Sequence, residues 1–248
     1  MVKIIHEHAD WMVVDKPPHL IVHPTRPDGA DTLLTRLEQL RPNQFLALIN
    51  RLDRETSGLI LVAKTREAAS SLGKQMMQRE IKKGYETIVW GKPKKDFDTI
   101  AEPLGRLGSI RDYPIYVKQA VMSEHEGGQK AVTHYNVRET REDESGRHFT
   151  RLSVEIDTGR LHQIRVHLRH MGCSVVGDKL YGPDDQCYLD FIETGWTEKL
   201  RQKLLLPRQA LHAGELFFSW GEEGVRCKSE LPEDLQTFWD QLRSVNRT

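Results

Sequence analysis

The sequence predicts an α+β fold, with a mixed, mostly antiparallel central sheet flanked by helices and loops. Three observations support that reading. Short runs rich in Val, Ile and Leu, bounded by Gly, Pro, Asp or Asn, recur along the chain as strands and hairpins do. A few longer segments space their apolar residues as one face of a helix requires. The two kinds do not alternate in the regular order that a parallel sheet with crossover helices needs.

Residues 2–6 and 11–15 (VKIIH and WMVVD) read as the first two strands. A helix follows over 31–41, where Leu33, Leu34, Leu37 and Leu40 fall at helical spacing. Strands at 45–50 and 58–63 flank a polar loop. A second helix over 65–81 aligns Ala68, Ala69, Leu72, Met76 and Ile81, with Thr65 placed to cap it and Arg79, Lys82 and Lys83 suited to its C-terminal end. Further strands are expected at 85–91, 131–138 and 148–157, and a hairpin at 215–228 turning through Gly221–Gly224. Helices are expected at 161–171, 188–204 and 232–244. The polar stretches 92–112 and 122–130 read as exposed loops or a small lid. No repeat or Gly/Ser-rich or Pro-rich linker divides the chain, so a single domain over 1–248 is expected.

Composition removes several function classes. The hydrophobic share of 38% and charged share of 29% fit a chain that folds around a substantial core. No run of eighteen apolar residues occurs, and MVKIIHEHADW lacks the pattern of a signal peptide, so no membrane association and a cytoplasmic location are expected. Cys173, Cys187 and Cys227 are odd in number and widely spaced, which argues for reduced thiols and against a disulfide framework or zinc knuckle. Lys plus Arg equals Asp plus Glu at 36 each, and this zero net charge counts against a nucleic-acid partner. The local distribution argues the other way. Arg160, Arg165, Arg169, Lys179 and three histidines stand against Asp178 alone between 160 and 179. No Gly-rich phosphate loop is present, so no nucleotide cofactor is expected.

The sharpest local feature is Asn50-Arg51-Leu52-Asp53-Arg54-Glu55-Thr56-Ser57-Gly58, a polar loop between two apolar strands that brings its side chains to one sheet edge. On residue types alone it could equally be a solvated turn. The segment is, however, similar to the RLDxxTSG signature of the RluA family of pseudouridine synthases. Val13-Val14-Asp15-Lys16-Pro17-Pro18 with Val22-His23-Pro24 resembles that family's opening strand and loop, and Lys83-Gly84-Tyr85 its KxY motif. Residues Thr158 to Leu168 (TGRLHQIRVHL) resemble a third signature. Gly177-Asp178-Lys179-Leu180-Tyr181-Gly182 and Leu211-His212-Ala213 resemble two later ones.

The resemblance implies an isomerase that turns selected uridines of a structured RNA, tRNA or large-subunit rRNA, into their C-glycosidic isomer without a cofactor and as a monomer. It assigns the catalytic carboxylate to Asp53, which could act as nucleophile toward the sugar or as base at C2′. Arg165 is implied as the guanidinium that keeps that carboxylate ionised. Tyr85 is implied as the aromatic face against uracil. Arg51 resembles the residue that enters the space left by an extruded base, and Ile164 is expected to pack the pocket wall. Asn50 stands where many relatives carry His, which keeps hydrogen-bonding capacity but not the charge and bears on RNA binding rather than chemistry. The family's frequent S4-type module is not expected here. The clustered His162, His167 and His170 lack CxxC, HExxH or a companion carboxylate, so no metal is expected and a basic RNA-facing helix is read instead. A glycosidase would need a second cooperating carboxylate, for which Glu55 is the nearby candidate. A non-catalytic RNA-binding protein is the other alternative, and the joint presence of Asp53, Tyr85 and Arg165 argues against it.

Overall fold

The computed structural model describes residues 2–23 and 31–245. Pro24 of the opening-loop motif lies outside them. In chain order the elements begin with strands β1 (Lys3–Glu7) and β2 (Trp11–Lys16), helix α1 (Leu33–Leu40), β3 (Ala47–Leu48) and β4 (Ser57–Ala63). Helix α2 (Arg66–Met77), β5 (Lys82–Trp90), β6 (Phe97–Ile100), β7 (Leu104–Arg106) and β8 (Gln119–Val121) follow. Then come β9 (Thr133–Glu142), β10 (His148–Ile156), α3 (Gln163–His170), α4 (Gln186–Thr194) and α5 (Glu198–Leu204). The chain closes with β11 (Leu211–Trp220), β12 (Glu223–Lys228), α6 (Glu233–Asp240) and β13 (Arg243–Ser244). The expected α+β class, with mostly antiparallel pairing, is what forms. The described residues gather in two compact units, one drawn from Met1–Tyr85 and His212–Pro232, the other from Glu86–Leu211 and Glu233–Thr248.

In the first unit β1, β2, β4 and β11 lie side by side; β1–β2 and β2–β4 are antiparallel, and β4–β11 is parallel. Side chains of successive strand residues point to opposite faces. Trp11 and Val13 of β2 with Leu59, Leu61 and Ala63 of β4 therefore meet Ala68 and Leu72 of α2 on one face. Met12 and Val14 with Ile60 and Val62 meet Leu33 and Leu37 of α1 on the other. Covering both faces explains why all seven residues of β4 are buried and why its sequence is a continuous apolar run rather than an alternation. The hairpin β11–β12 turns where expected, with Trp220 opposite Glu223 and Gly221 at φ +61°.

The helices start as their caps dictate. The Thr65 hydroxyl accepts from the Ala68 amide, and Thr32 and Thr35 cap α1 reciprocally. Their ends differ from expectation. α2 stops at Met77 rather than 81, because Arg79 takes a left-handed backbone (φ +61°) and Lys82 and Lys83 enter β5. The 188–204 segment is two helices, broken at Gly195 (φ +72°).

In the second unit β10 pairs with β9 along its whole length, and β6 and β13 pair with β9 as well. The polar stretch 92–112 is thus not all loop: Phe97 to Ile100 find partners in Asn136 to Thr133. Cys173 and Cys187 of this unit and Cys227 of the first are free and buried, and burial raises each thiol above its usual range. No helix among the described residues is long and apolar enough to cross a membrane.

Candidate active site

The loop between β3 and β4 is held from several sides within the first unit. At its start the buried Asn50 amide donates to the Leu59 carbonyl at 3.1 Å and accepts from the Leu61 amide at 2.8 Å. Further on, the Thr56 amide donates to the Asp53 carbonyl at 3.1 Å, closing a turn. The Lys16 ammonium, with no exposure to solvent, donates to the carbonyls of Pro17 (2.9 Å), Leu20 (3.0 Å) and Arg54 (3.1 Å). These bonds tie the end of β2 to the middle of the loop and compensate the burial of a charge that would otherwise be strongly disfavoured.

The end of the loop is fixed just as closely. Gly58 sits at φ +116°, and a Cβ there would stand 2.3 Å from the Ala213 carbonyl oxygen, so only glycine lets β4 lie against β11. The Ser57 hydroxyl meets His212 Nδ1 at 2.9 Å, His212 Nε2 faces the Ser229 carbonyl at 3.3 Å, and the Ser229 hydroxyl donates to Asp15 at 2.5 Å. Arg51 is exposed at the loop surface, whereas Asp53 is half-buried.

Tyr85, near the middle of β5, is buried. Its hydroxyl is held well above the usual phenol range, first by burial and then by the negative charge of Asp53. The negative charge of Asp53 is thus felt at the Tyr85 hydroxyl. The phenol stays protonated at neutral pH, so it offers a π-face and a neutral hydroxyl. Two positions before it, burial depresses the Lys83 ammonium.

Arg165 and Ile164 belong to α3 in the second unit, where the expected basic face is confined to the end of the helix, Arg169 and His170 being exposed. Six successive residues, Gln163 to Leu168, are buried, and their polar groups serve internal contacts. Arg165 makes a two-point ion pair with Asp178, Nε to Oδ2 at 2.6 Å and Nη2 to Oδ1 at 2.9 Å, and its guanidinium lies 4.9 Å from the Tyr181 ring centre. Asp178 also accepts from the Leu180 and Tyr181 amides, each at 2.9 Å. Burial pushes the Asp178 carboxyl up, but Arg165 and these amides outweigh it and hold the group below its usual range. Gly177 and Gly182 leave no room for a side chain, since a Cβ would come within 1.9 Å of the Arg208 carbonyl oxygen and 2.2 Å of that of Asp178.

His167 faces Thr133 Oγ1 at 2.8 Å through Nδ1 and the Glu102 carbonyl at 2.9 Å through Nε2. A carbonyl can only accept, so Nε2 carries the proton and Nδ1 accepts from the hydroxyl. Burial favours the same neutral form. His162 Nδ1 meets the Tyr181 hydroxyl at 2.8 Å. Among the described residues no three His, Cys, Asp or Glu side chains gather as a metal site. The supports that sequence reasoning did not single out are Lys16, Asp178 and the Ser57–His212 pair. All four lie inside the quoted motifs, which was the available signal.

The chain is similar to known RNA pseudouridine synthases. A family described as RNA pseudouridylate synthase matches residues 10–170. The chain is 38% identical over 247 residues to ribosomal large subunit pseudouridine synthase D of Pseudomonas aeruginosa, covering 97% of this chain and 72% of that protein. It is 34% identical over 262 residues to an RNA pseudouridine synthase of Chlorobaculum parvum, covering 98% and 75%. Among solved structures, human RNA pseudouridylate synthase domain containing 1 superposes with a TM-score of 0.74 at 23% identity, covering 100% of this chain and 91% of that one, a likeness of fold.

Proposed function

Because the chain belongs to the RNA pseudouridylate synthase family, the isomerases that convert uridine in RNA to pseudouridine, we propose that it acts on specific uridines of tRNA or large-subunit rRNA, with Asp53 as its catalytic carboxylate. The name carried by the Pseudomonas aeruginosa relative favours the ribosomal substrate. The observation that supports the site is the electrostatic reach of Asp53 to the buried ring of Tyr85.

In the reaction the C1′–N1 bond breaks, the uracil turns while held, and a C1′–C5 bond forms. A proton leaves C5 and one is gained at N1, so the product is an isomer and no water is consumed. Asp53 serves either as nucleophile at C1′ or as base at C2′. Tyr85 provides the face on which the base rests. A uridine stacked in folded RNA must first leave its stack, and Arg51, planar, cationic and exposed, takes the vacated place. Asn50 bears on RNA binding by holding the loop that presents Arg51. The resemblance assigns Arg165 the role of favouring an ionised carboxylate and Ile164 that of packing a pocket wall. The protein works in the cytoplasm as a monomer, as a single catalytic domain, without a cofactor.

The test is release of tritium from C5-labelled uridine in cellular RNA. The unaltered protein releases it and Asp53→Asn does not. Equal rates for the two would remove Asp53 from the mechanism, and free uracil among the products would mean hydrolysis rather than isomerisation.

A further inference from the structure

Within the second unit, residues 104–121 form a small structure of their own. β7 and β8 pair as a two-stranded ribbon, Leu104 opposite Val121 and Arg106 opposite Gln119. The chain between them is pinned rather than loose. The Leu107 amide donates to the Lys118 carbonyl at 2.8 Å, and the Lys118 amide to that of Ile115 at 3.1 Å. Leu104 and Ile115 are rooted in a buried cluster with Val166, Leu180 and Tyr181. Lys118 is tied to Asp185, and its ammonium lies 5.3 Å from the Tyr113 ring centre.

On this base stand cations and rings in pairs. The Arg106 guanidinium lies 4.4 Å from the Tyr116 ring centre, and that of Arg111 lies 5.4 Å from the Tyr113 ring centre. Tyr116 is 74% exposed, so its ring adds little to the core and keeps most of its surface in water. In a chain with no net charge, residues 104–121 carry Arg106, Arg111 and Lys118 against Asp112 alone. A ring held by a cation, in a pinned segment that carries a further exposed cation, matches an unpaired base flanked by phosphates. A base gains by stacking on either surface, and the phosphates are drawn to the positive charge. A paired duplex offers no such free face.

We propose that Arg106 and Tyr116 form a stacking surface for an unpaired nucleotide of the RNA substrate, with Arg111 of the same segment drawing the phosphate backbone. This inference rests on the proposed function, since it specifies single-stranded character in the RNA that the enzyme binds. The ribbon makes the surface preorganised, so little ordering is needed when the nucleotide arrives.

The test compares binding of a short oligouridylate with that of a fully paired RNA duplex of the same length. Tyr116→Ala is expected to weaken single-strand binding roughly tenfold, within the range for loss of one stacked base, and to leave duplex binding unchanged. Tyr116→Phe, which keeps the ring, is expected to bind as the unaltered protein does. Circular dichroism confirms that both variants are folded. Unchanged single-strand affinity in Tyr116→Ala overturns the inference, as does an equal loss for strand and duplex or no measurable single-strand binding by the unaltered protein. The inference and its premise fail separately: absence of pseudouridine formation by the unaltered protein overturns the proposed function, whereas these affinities bear on the surface alone.

Discussion

Replacing Asp178 with Asn keeps the shape of the side chain and removes one charge from a fully buried pair. The amide oxygen can still accept from the Leu180 and Tyr181 N–H groups, which Asp178 now satisfies at 2.9 Å each. The ion pair with Arg165 is lost: the amide nitrogen stands where Oδ2 now accepts from Nε at 2.6 Å, and the oxygen that still accepts from Nη2 at 2.9 Å no longer carries charge. Breaking one partner out of a buried pair costs about 3–5 kcal/mol, most of it from the stranded charge. That is a large share of the roughly 5–15 kcal/mol by which domains are stable. Urea unfolding, read with amide exchange in α3, measures it. Adding Arg165→Met to Asp178→Asn removes the stranded charge and should recover a large part of the loss. A single variant within about 0.5 kcal/mol of the unaltered protein, the scale of an ordinary surface change, would refute the reasoning, as would a double variant no more stable than the single one. The pH dependence has a definite sign. The folded carboxyl titrates below its unfolded value of about 3.9, so its contribution is present above that pH and lost as pH falls through the lower folded value. Acid unfolding below about pH 4 should therefore be steeper for the unaltered protein than for Asp178→Asn.

Two further outcomes follow from the first unit. Asn50→Ala leaves the Leu59 carbonyl and the Leu61 amide without the side chain that bridges them and should cost about 1–3 kcal/mol in thermal or urea unfolding; an unchanged midpoint would mean that the bridge is dispensable. Tyr85 stays protonated to a higher pH than a free phenol, so its contribution to stability is intact below about pH 10 and falls as pH rises from there toward the raised folded value. Alkaline unfolding of Tyr85→Phe should lack that part of the decline, and identical alkaline curves would count against the burial of the hydroxyl.

What the sequence revealed depended on how local the cause was. β2 and β4 were legible because an unbroken apolar run needs cover on both faces, and α1 and α2 supply it. β6 was missed because its residues are strand only by virtue of Asn136 to Thr133 on another segment, a partner that no local pattern announces. The end of α2 has a local cause, since Arg79 turns left-handed before Lys82 and Lys83, whose charge alone suits a helix C-terminus. At the site, Asp53 and Tyr85 could be picked out from their motifs, and the charge of one is felt at the other. The supports behind them lie in the same motifs, but residue type alone does not give their role. A lysine in VVDKPP reads as solvated until three carbonyls are found converging on Lys16. Likewise the cations of α3 suggested an outward face, because nothing in the spacing tells that Asp178 closes over Arg165 from within.

The three buried thiols turn the molecule into its own reporter. Cys227 packs in the first unit among Trp11, Leu216 and Phe218, whereas Cys187 packs in the second with Leu200 and Leu204. An alkylating reagent reacts with thiolate, which these sites withhold until they open. Mass analysis of which cysteine is modified first would time the opening of each half of the chain without introducing a label.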